Sequence, residues 1–275
     1  MITERLGEKM DPIAFQLGPI AVHWYGILIA FAFLLAILGS DHLAKKQGID
    51  EDRYFSLLIA CIVCAVIGAR LYYVLFNWSV YRVQPEEIFA VWHGGLAVHG
   101  GILLGTLSIY VCSHIWNLRF WQITDILSPF MILGQAIGRW GNYFNQEAYG
   151  YPVSRDSVPW AMYIDGQWRH PTFLYESIWD IIGFILLMIA TRSKSSRLRE
   201  GDISLIYLVY YSCGRFVIEG FRTDSLMFGP LRAAQLVSVL IIAVSVLVFI
   251  LRRPHAPRRC DLLRDTSMRK DETDE

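Results

Sequence analysis

Residues 55–76 read FSLLIACIVCAVIGARLYYVLF, twenty-two positions interrupted by a single charge, Arg70. A bilayer crossing takes about 20 mostly apolar residues, so this stretch predicts a membrane-spanning helix. Six further runs of similar length lie near residues 19–39, 96–116, 123–145, 173–191, 203–221 and 231–251. The run at 123–145 is the least regular, because GRWGNYFNQE makes its second half polar and glycine-rich. The expected fold is an all-α polytopic membrane protein with about seven transmembrane helices.

Composition agrees. Of 275 residues, 54% are hydrophobic and 18% charged, against about 25% charged in soluble domains. A formal net charge of zero argues against a nucleic-acid partner, which would show as a clustered basic field. The cysteines are odd in number, and Cys61, Cys64, Cys112 and Cys213 lie inside apolar runs, so no disulfide framework is expected. Cys61 and Cys64 have C-x-x-C spacing without a second ligand pair, and read as small buried thiols. The first run exceeds a signal-peptide core, and its leader mixes Glu4, Glu8 and Asp11 with Arg5 and Lys9, so it reads as a permanent helix.

Lys and Arg gather at 40–54, 117–122, 192–202 and after 251, which places those connections in the cytoplasm, the N-terminus outside and the C-terminus inside. The opposite side carries 77–95 and 146–172, whose Trp78, Tyr81, Trp92, Tyr149, Tyr151, Trp160, Tyr163 and Trp168 suit an interfacial belt or small cap. Residues 1–251 form one membrane domain with that cap, and 252–275 a basic, disordered cytoplasmic tail.

Ionisable residues inside a membrane are costly and therefore functional candidates. Here they are Arg70, His99, Asp125, Arg139, Glu176, Arg215 and Glu219. Arg215, Glu219 and Arg222, spaced four and three apart, share one helix face. That stripe reads either as a self-neutralising ion-pair ladder or as a positive remainder awaiting an anion such as a lipid phosphate. Gly134, just before GRWGNYFNQEAYG, and Gly138 and Gly141 within it suit close helix packing, whereas Asn142, Asn145 and Glu147 imply a polar cavity. The glycine pairs after His93 and His99 let backbone approach a ligand or break the helix, and His99 is the deeper candidate for proton transfer.

With these residues assembled, the chain resembles the bacterial prolipoprotein diacylglyceryl transferase family. The resemblance rests on HWYG (23–26), GARLYYVLF (68–76), HGG (99–101), GRWGNYFNQEAYG (138–150), RHPTFLYE (169–176) and GRFVIEGFR (214–222). The family pattern G-R-x-G-N-x-x-N-x-E-x-x-G is met at every fixed position from Gly138 to Gly150. It implies a seven-helix enzyme of the bacterial inner membrane with a small periplasmic-side head. That enzyme would move the diacylglyceryl group of phosphatidylglycerol to the lipobox cysteine of a preprolipoprotein, forming a thioether and releasing glycerol phosphate. The catalytic set so implied is His99, Arg139, Arg215, Glu147 and Glu219. Tyr25, Arg70, Asn142, Asn145, Gly150 and Arg222 are expected to bind substrate. No cofactor or metal is expected, since no ligand spacing is present.

A free thiol ionises near pH ~8.5 and a free imidazole near ~6.5, so His99 would accept the thiol proton while Arg139 and Arg215 stabilise the departing phosphate. Glu147 and Glu219 would orient those arginines, and either is an alternative base. The competing class is a secondary transporter for an anionic solute, although the 138–150 block has no counterpart elsewhere in the chain. A heptahelical receptor would explain the helix count but not the buried arginines.

Overall fold

The computed structural model describes residues 11–261 except Pro19, Asp165, Lys194, Ser196, Asp224 and Cys260. The expectations for Glu4, Arg5, Glu8, Lys9, Cys260 and residues 262–275 lie outside the described residues. Two compact units are present, one built from the residues up to Ser40 and from Asp125 onward, the other from Asp41–Thr124.

Seven helices of 18 residues or more occur among the described residues: α1 (Trp24–Lys46), α2 (Glu51–Phe76), α4 (Val98–Ile115), α5 (Phe120–Asn145), α6 (Thr172–Arg192), α7 (Asp202–Glu219) and α8 (Ala233–Arg252), with a short α3 (Trp78–Tyr81) after α2. Helices α1, α2, α4, α6 and α8 are long and apolar enough to cross a membrane. Leu240, Leu247 and Ile250 of α8 are 62%, 55% and 60% exposed, a surface that lipid and not water would cover. Helices α5 and α7 are more polar, carrying Asp125 and Arg139, and Asp202, Arg215 and Glu219.

The helices match the apolar runs closely in their centres and less well at their ends. Residues 20–23, expected in the first span, form strand β2 (Ile20–His23) paired antiparallel with β1 (Ile13–Leu17). Helix α1 then continues to Lys46, because Gly48, at φ +70°, is where the chain first turns, and Asp50 caps α2 by accepting from the Arg53 amide at 3.0 Å. The connection expected over 40–54 is thus mostly helical. The all-α expectation is further corrected by two more hairpins, β3 (Met162–Ile164) with β4 (Gln167–Arg169) and β5 (Met227–Phe228) with β6 (Leu231–Arg232). The first lies in a connection too polar for a span and the second in one too short.

In the larger unit, Ile132 of α5, Leu187 of α6 and Ile203 of α7 make a buried core with Phe184, Tyr207 and Tyr210 against it. Missing side chains let the helices close. A Cβ on Gly214 would lie 2.2 Å from the Trp179 indole nitrogen, and that indole stacks on Tyr210 at 4.7 Å. The glycines of α5 face α1, since a Cβ on Gly134, Gly138 or Gly141 would meet Ala32, Ile29 or the Tyr25 ring, at 2.1 Å in the last case. Asp125, 1% exposed, accepts from the Gly201 amide at 2.8 Å, the Ser204 amide at 2.9 Å and the Ser204 hydroxyl at 2.8 Å. It therefore serves as a cap for the orphan amides of α7, a structural use of a charge that the sequence marked as a functional candidate.

The chain does not leave the fold at residue 252. The Glu200 amide donates to the Pro257 carbonyl and the Arg259 amide to the Leu198 carbonyl, both at 3.1 Å, and Arg259 is 6% exposed. The expected disordered tail is therefore docked through Arg259, because its arginines and backbone satisfy the 192–200 connection.

In the smaller unit, α2 and α4 cross backbone to backbone. A Cβ on Gly100 would stand 2.1 Å from the Gly68 carbonyl oxygen, and one on Gly68 2.4 Å from that of Gly100. The glycine pairs after the histidines thus serve different ends. Gly94 and Gly95, at φ +86° and +73°, turn the chain, whereas Gly100 and Gly101 are helical and admit α2 rather than a ligand. Overpacking of this kind typically costs about 1–3 kcal/mol. Gly100→Ala should lower the thermal midpoint of the purified protein in detergent, whereas Gly105→Ala, whose methyl would meet Ala65 at an ordinary 3.4 Å, should leave it nearly unchanged; equal midpoints for both would overturn the crossing geometry.

Candidate active site

Three arginines of the larger unit gather around one carboxylate. Glu176 lies near the start of α6 and is 5% exposed. Its Oε2 stands 2.5 Å from Nε of Arg139 on α5, and its Oε1 2.6 Å from Nη1 of Arg215 on α7. Arg215 reaches on through Nη2 to Oε2 of Glu219 at 2.7 Å, one turn along α7 and 2% exposed. Arg222, just past α7, approaches both carboxylates at 4.0 Å. The result is an alternating ladder across three helices, Arg139–Glu176–Arg215–Glu219. A buried ion is tolerated when its partner is this close.

The contacts differ in kind. Arg215 donates a hydrogen bond to Glu176. The Arg139 Nε–H is not aligned for one, so its contact is an ion pair alone. Arg139 also donates from Nη2 to the Tyr211 hydroxyl at 3.4 Å. One turn below Glu176, Asp180 is 2% exposed and its Oδ2 has no hydrogen-bond partner.

Beside the ladder lies a pocket of about 240 Å³ lined by Arg139, Asn142, Glu147, Ala148 and Arg222. Its far wall arises from the way α5 ends. Gln146 and Ala148 adopt left-handed backbone, φ 51° and 56°, a conformation that is costly without glycine and clusters at functional sites. The curl returns Glu147 to the last turn of α5, where its Oε1 accepts from Asn142 Nδ2 at 2.9 Å and Asn145 Nδ2 at 3.1 Å. Glu147 thus holds the two amides and not an arginine, as had been expected of it; Glu219 does hold one.

The remaining candidates are placed as follows. The Gly150 amide donates to the His170 carbonyl at 2.9 Å, and the residue pairs with Arg222 in an isolated bridge. A Cβ there would meet the Phe221 carbonyl oxygen at 2.8 Å, so Gly150 threads the loop that brings Arg222 to the pocket. The Tyr25 ring covers Gly141 and is 38% exposed, while its neighbour Trp24 stacks on Phe144 at 5.1 Å. Neither Tyr25 nor Gly150 is in the pocket lining.

His99 and Arg70 belong to the smaller unit. His99 is exposed in the first turn of α4, its ring 6.0 Å from that of Tyr72. Arg70, expected to bind substrate, spends all five of its donors on carbonyls of one loop. Nε donates to Ile88 at 2.9 Å, Nη1 to Gly94 at 2.6 Å and Gly95 at 2.9 Å, and Nη2 to Glu87 and to Ala90 at 3.3 Å. Its guanidinium also lies over the Tyr81 ring, 5.1 Å from the centroid, so Tyr81 is buried and no part of an exposed belt. Arg70 is a structural clip, because the loop leaves it no donor for a ligand.

Sequence reasoning marked Glu176 as a membrane carboxylate but left it out of the site, and it passed over Asp180. The signal was their four-residue spacing on one helix.

A family model described as prolipoprotein diacylglyceryl transferase matches residues 12–251. Among curated proteins, the chain is 45% identical to the phosphatidylglycerol–prolipoprotein diacylglyceryl transferase of Bacillus velezensis, across 90% of this chain and 94% of that protein. It is 44% identical to the protein of that name from Streptococcus mutans, across 89% and 96%, and 44% identical to that from Limosilactobacillus reuteri, across 92% and 95%. A match over nearly the whole length of the chain, with Arg139, Asn142 and Glu147 of the signature lining one pocket, establishes that this chain belongs to the prolipoprotein diacylglyceryl transferase family.

Proposed function

We propose that this chain is a membrane transferase that moves the diacylglyceryl group of phosphatidylglycerol onto the lipobox cysteine thiol of preprolipoproteins. The observation that carries the reading is the pocket walled by Arg139 and Arg222, with the Arg215 ladder beside it, in a chain 45% identical over 90% of its length to an enzyme of that name. The sulfur attacks the glycerol carbon that bears the phosphate. A carbon–sulfur bond forms, the carbon–oxygen bond breaks, and its electron pair leaves with glycerol phosphate. The thiol proton must pass to a base.

The guanidiniums supply what the leaving group needs, a fork-shaped positive field that gains strength as charge develops in a water-poor site. Asn142 and Glu147 also line the pocket, and Asn145 holds Glu147 in place at 3.1 Å. His99 is proposed as the base on chemistry alone, with Glu147 as the alternative. The reading also includes seven crossings of the bacterial cytoplasmic (inner) membrane, the N-terminus and the 146–172 hairpin region on the outer, periplasmic side, and residues 192–202 inside. It is supported by seven long helices and the Lys/Arg asymmetry of the connections.

Purified protein in vesicles containing phosphatidylglycerol, given a lipobox peptide, should yield a thioether-linked diacylglyceryl peptide; no such product would overturn the assignment. Arg139→Lys and Arg215→Lys keep charge but lose the fork. Each should lower turnover by about 10²-fold while phosphatidylglycerol binding changes little, and near-normal turnover would demote these arginines to structural ion pairs. His99→Gln should make the rate follow ionisation of the substrate thiol, recovering toward pH ~8.5. An unchanged pH profile would move the base elsewhere. Cysteines placed at Ser157 and Ser195 should label from opposite faces of the membrane, and equal labelling from the outer face would defeat the topology.

A further inference from the structure

The ladder assigns its members unequal tasks. Arg139 lines the pocket, whereas Arg215 turns both Nη atoms to carboxylates and is absent from the lining. The link between them is Glu176, each of whose oxygens meets a guanidinium from a different helix. Its approach to Arg139 is side-on, at Nε. A guanidinium paired at Nε leaves its two Nη groups as the prongs of the fork. Tyr211 meets one prong only at 3.4 Å.

Resting on the transferase reading above, we propose that Glu176 is a positioning residue that aims the Nη face of Arg139 into the pocket and ties it to Arg215, so that the two arginines act on the phosphate as one unit. Three features support a role in aiming over one in mere neutralisation. Glu219 already neutralises Arg215 from the same helix, at 2.7 Å. Glu176 is buried, so its carboxylate cannot wander, and a fixed counter-charge is what preorganises a catalytic cation. Its helix is itself pinned at that level. The next residue, Ser177, donates to the Ala136 carbonyl at 3.0 Å and accepts from the Trp140 indole at 3.1 Å, which fixes α6 against the turn of α5 that carries Arg139.

The proposal carries an unusual sign. Removing a carboxylate from the cluster raises its positive charge, so ground-state attraction for the anionic lipid should hold or improve in Glu176→Gln. Turnover should nevertheless fall, because a guanidinium displaced by about 1 Å loses on the order of 10²-fold in rate. The expected result is a lower kcat with KM for phosphatidylglycerol unchanged or reduced. Glu176→Asp keeps the charge but shortens the reach, and should recover part of kcat.

Coupling supplies a second readout. In the native background the losses from Arg139→Lys and Arg215→Lys should combine to less than their product, as for members of one unit. In Glu176→Gln that non-additivity should vanish. Ser177→Ala, which loosens the same helix pair without touching a charge, should lower the thermal midpoint yet leave the coupling intact. An unchanged kcat in Glu176→Gln, or fully multiplicative arginine losses in the native protein, would overturn the proposal. Should Glu176→Gln not fold, an Asp variant with native kcat would do the same. If the native protein makes no thioether product, the transferase reading fails first; if it does and the Glu176 variants behave as native, only the positioning role fails.

Discussion

A carboxylate shared between guanidiniums from two different helices is the contact on which the larger unit is organised. Taking Glu176, Arg139 and Arg215 out of water one at a time would cost several kcal/mol each, even after relaxation. Together they offset one another, at 2.5 and 2.6 Å. The same contact joins three chain segments, since the pair can form only when α5, α6 and α7 are in register. Asp125 secures that register from the other end by capping α7 from α5. Arg139 and Arg215 are therefore held at both ends of the helices that bear them, and their charge persists in a protein whose other long helices are nearly all apolar.

The pocket arises where helical regularity stops. Through Asn145 the backbone of α5 bonds to itself, and its glycines lie against α1. Beyond it, Gln146 and Ala148 enter left-handed backbone, and their strain is offset by local bonds: the Glu147 amide donates to the Asn142 carbonyl at 3.0 Å, and the Thr172 hydroxyl to that of Ala148. The motif is dense in glycine, asparagine and glutamate for this reason. Packing on one side and a hydrogen-bonded curl on the other are made from adjacent residues of a single segment.

Hydropathy made the helix centres legible, because lipid demands a long uninterrupted run and little else in a sequence imitates one. Helix ends were not legible. Whether residues 20–23 continue a helix or pair as a strand depends on the turn at Gly18, and an apolar count is blind to turns. Charges were legible as exceptions but not as partners. Arg70, Asp125 and Glu176 all stood out as membrane ionisables, yet one clips a loop, one caps a helix and one bridges two arginines. Those distinctions depend on which carbonyl, amide or guanidinium the fold brings within hydrogen-bonding reach, and that information is spread over positions 17 to 79 residues apart. The signature block fared better, since its pocket-lining residues Arg139, Asn142 and Glu147 are neighbours in sequence as well as in space; even there, Glu147 turned to the amides and not to an arginine.

Arg70 recognises its loop entirely through main-chain oxygens, those of Glu87, Ile88, Ala90, Gly94 and Gly95. Such a grip is indifferent to what the side chains are. The grip itself asks nothing of the side chains at 87 and 88, although Glu87 also meets His93 at 2.8 Å and Ala90 is buried, and the exposed rings of Phe89 and Trp92 are displayed on a frame that does not depend on them. The exceptions are Gly94, whose φ of +86° suits glycine, and Gly95, where any Cβ would strike the guanidinium at 2.5 Å. One arginine and two glycines thus fix the course of the loop, while the rings of Phe89 and Trp92 are left at its surface.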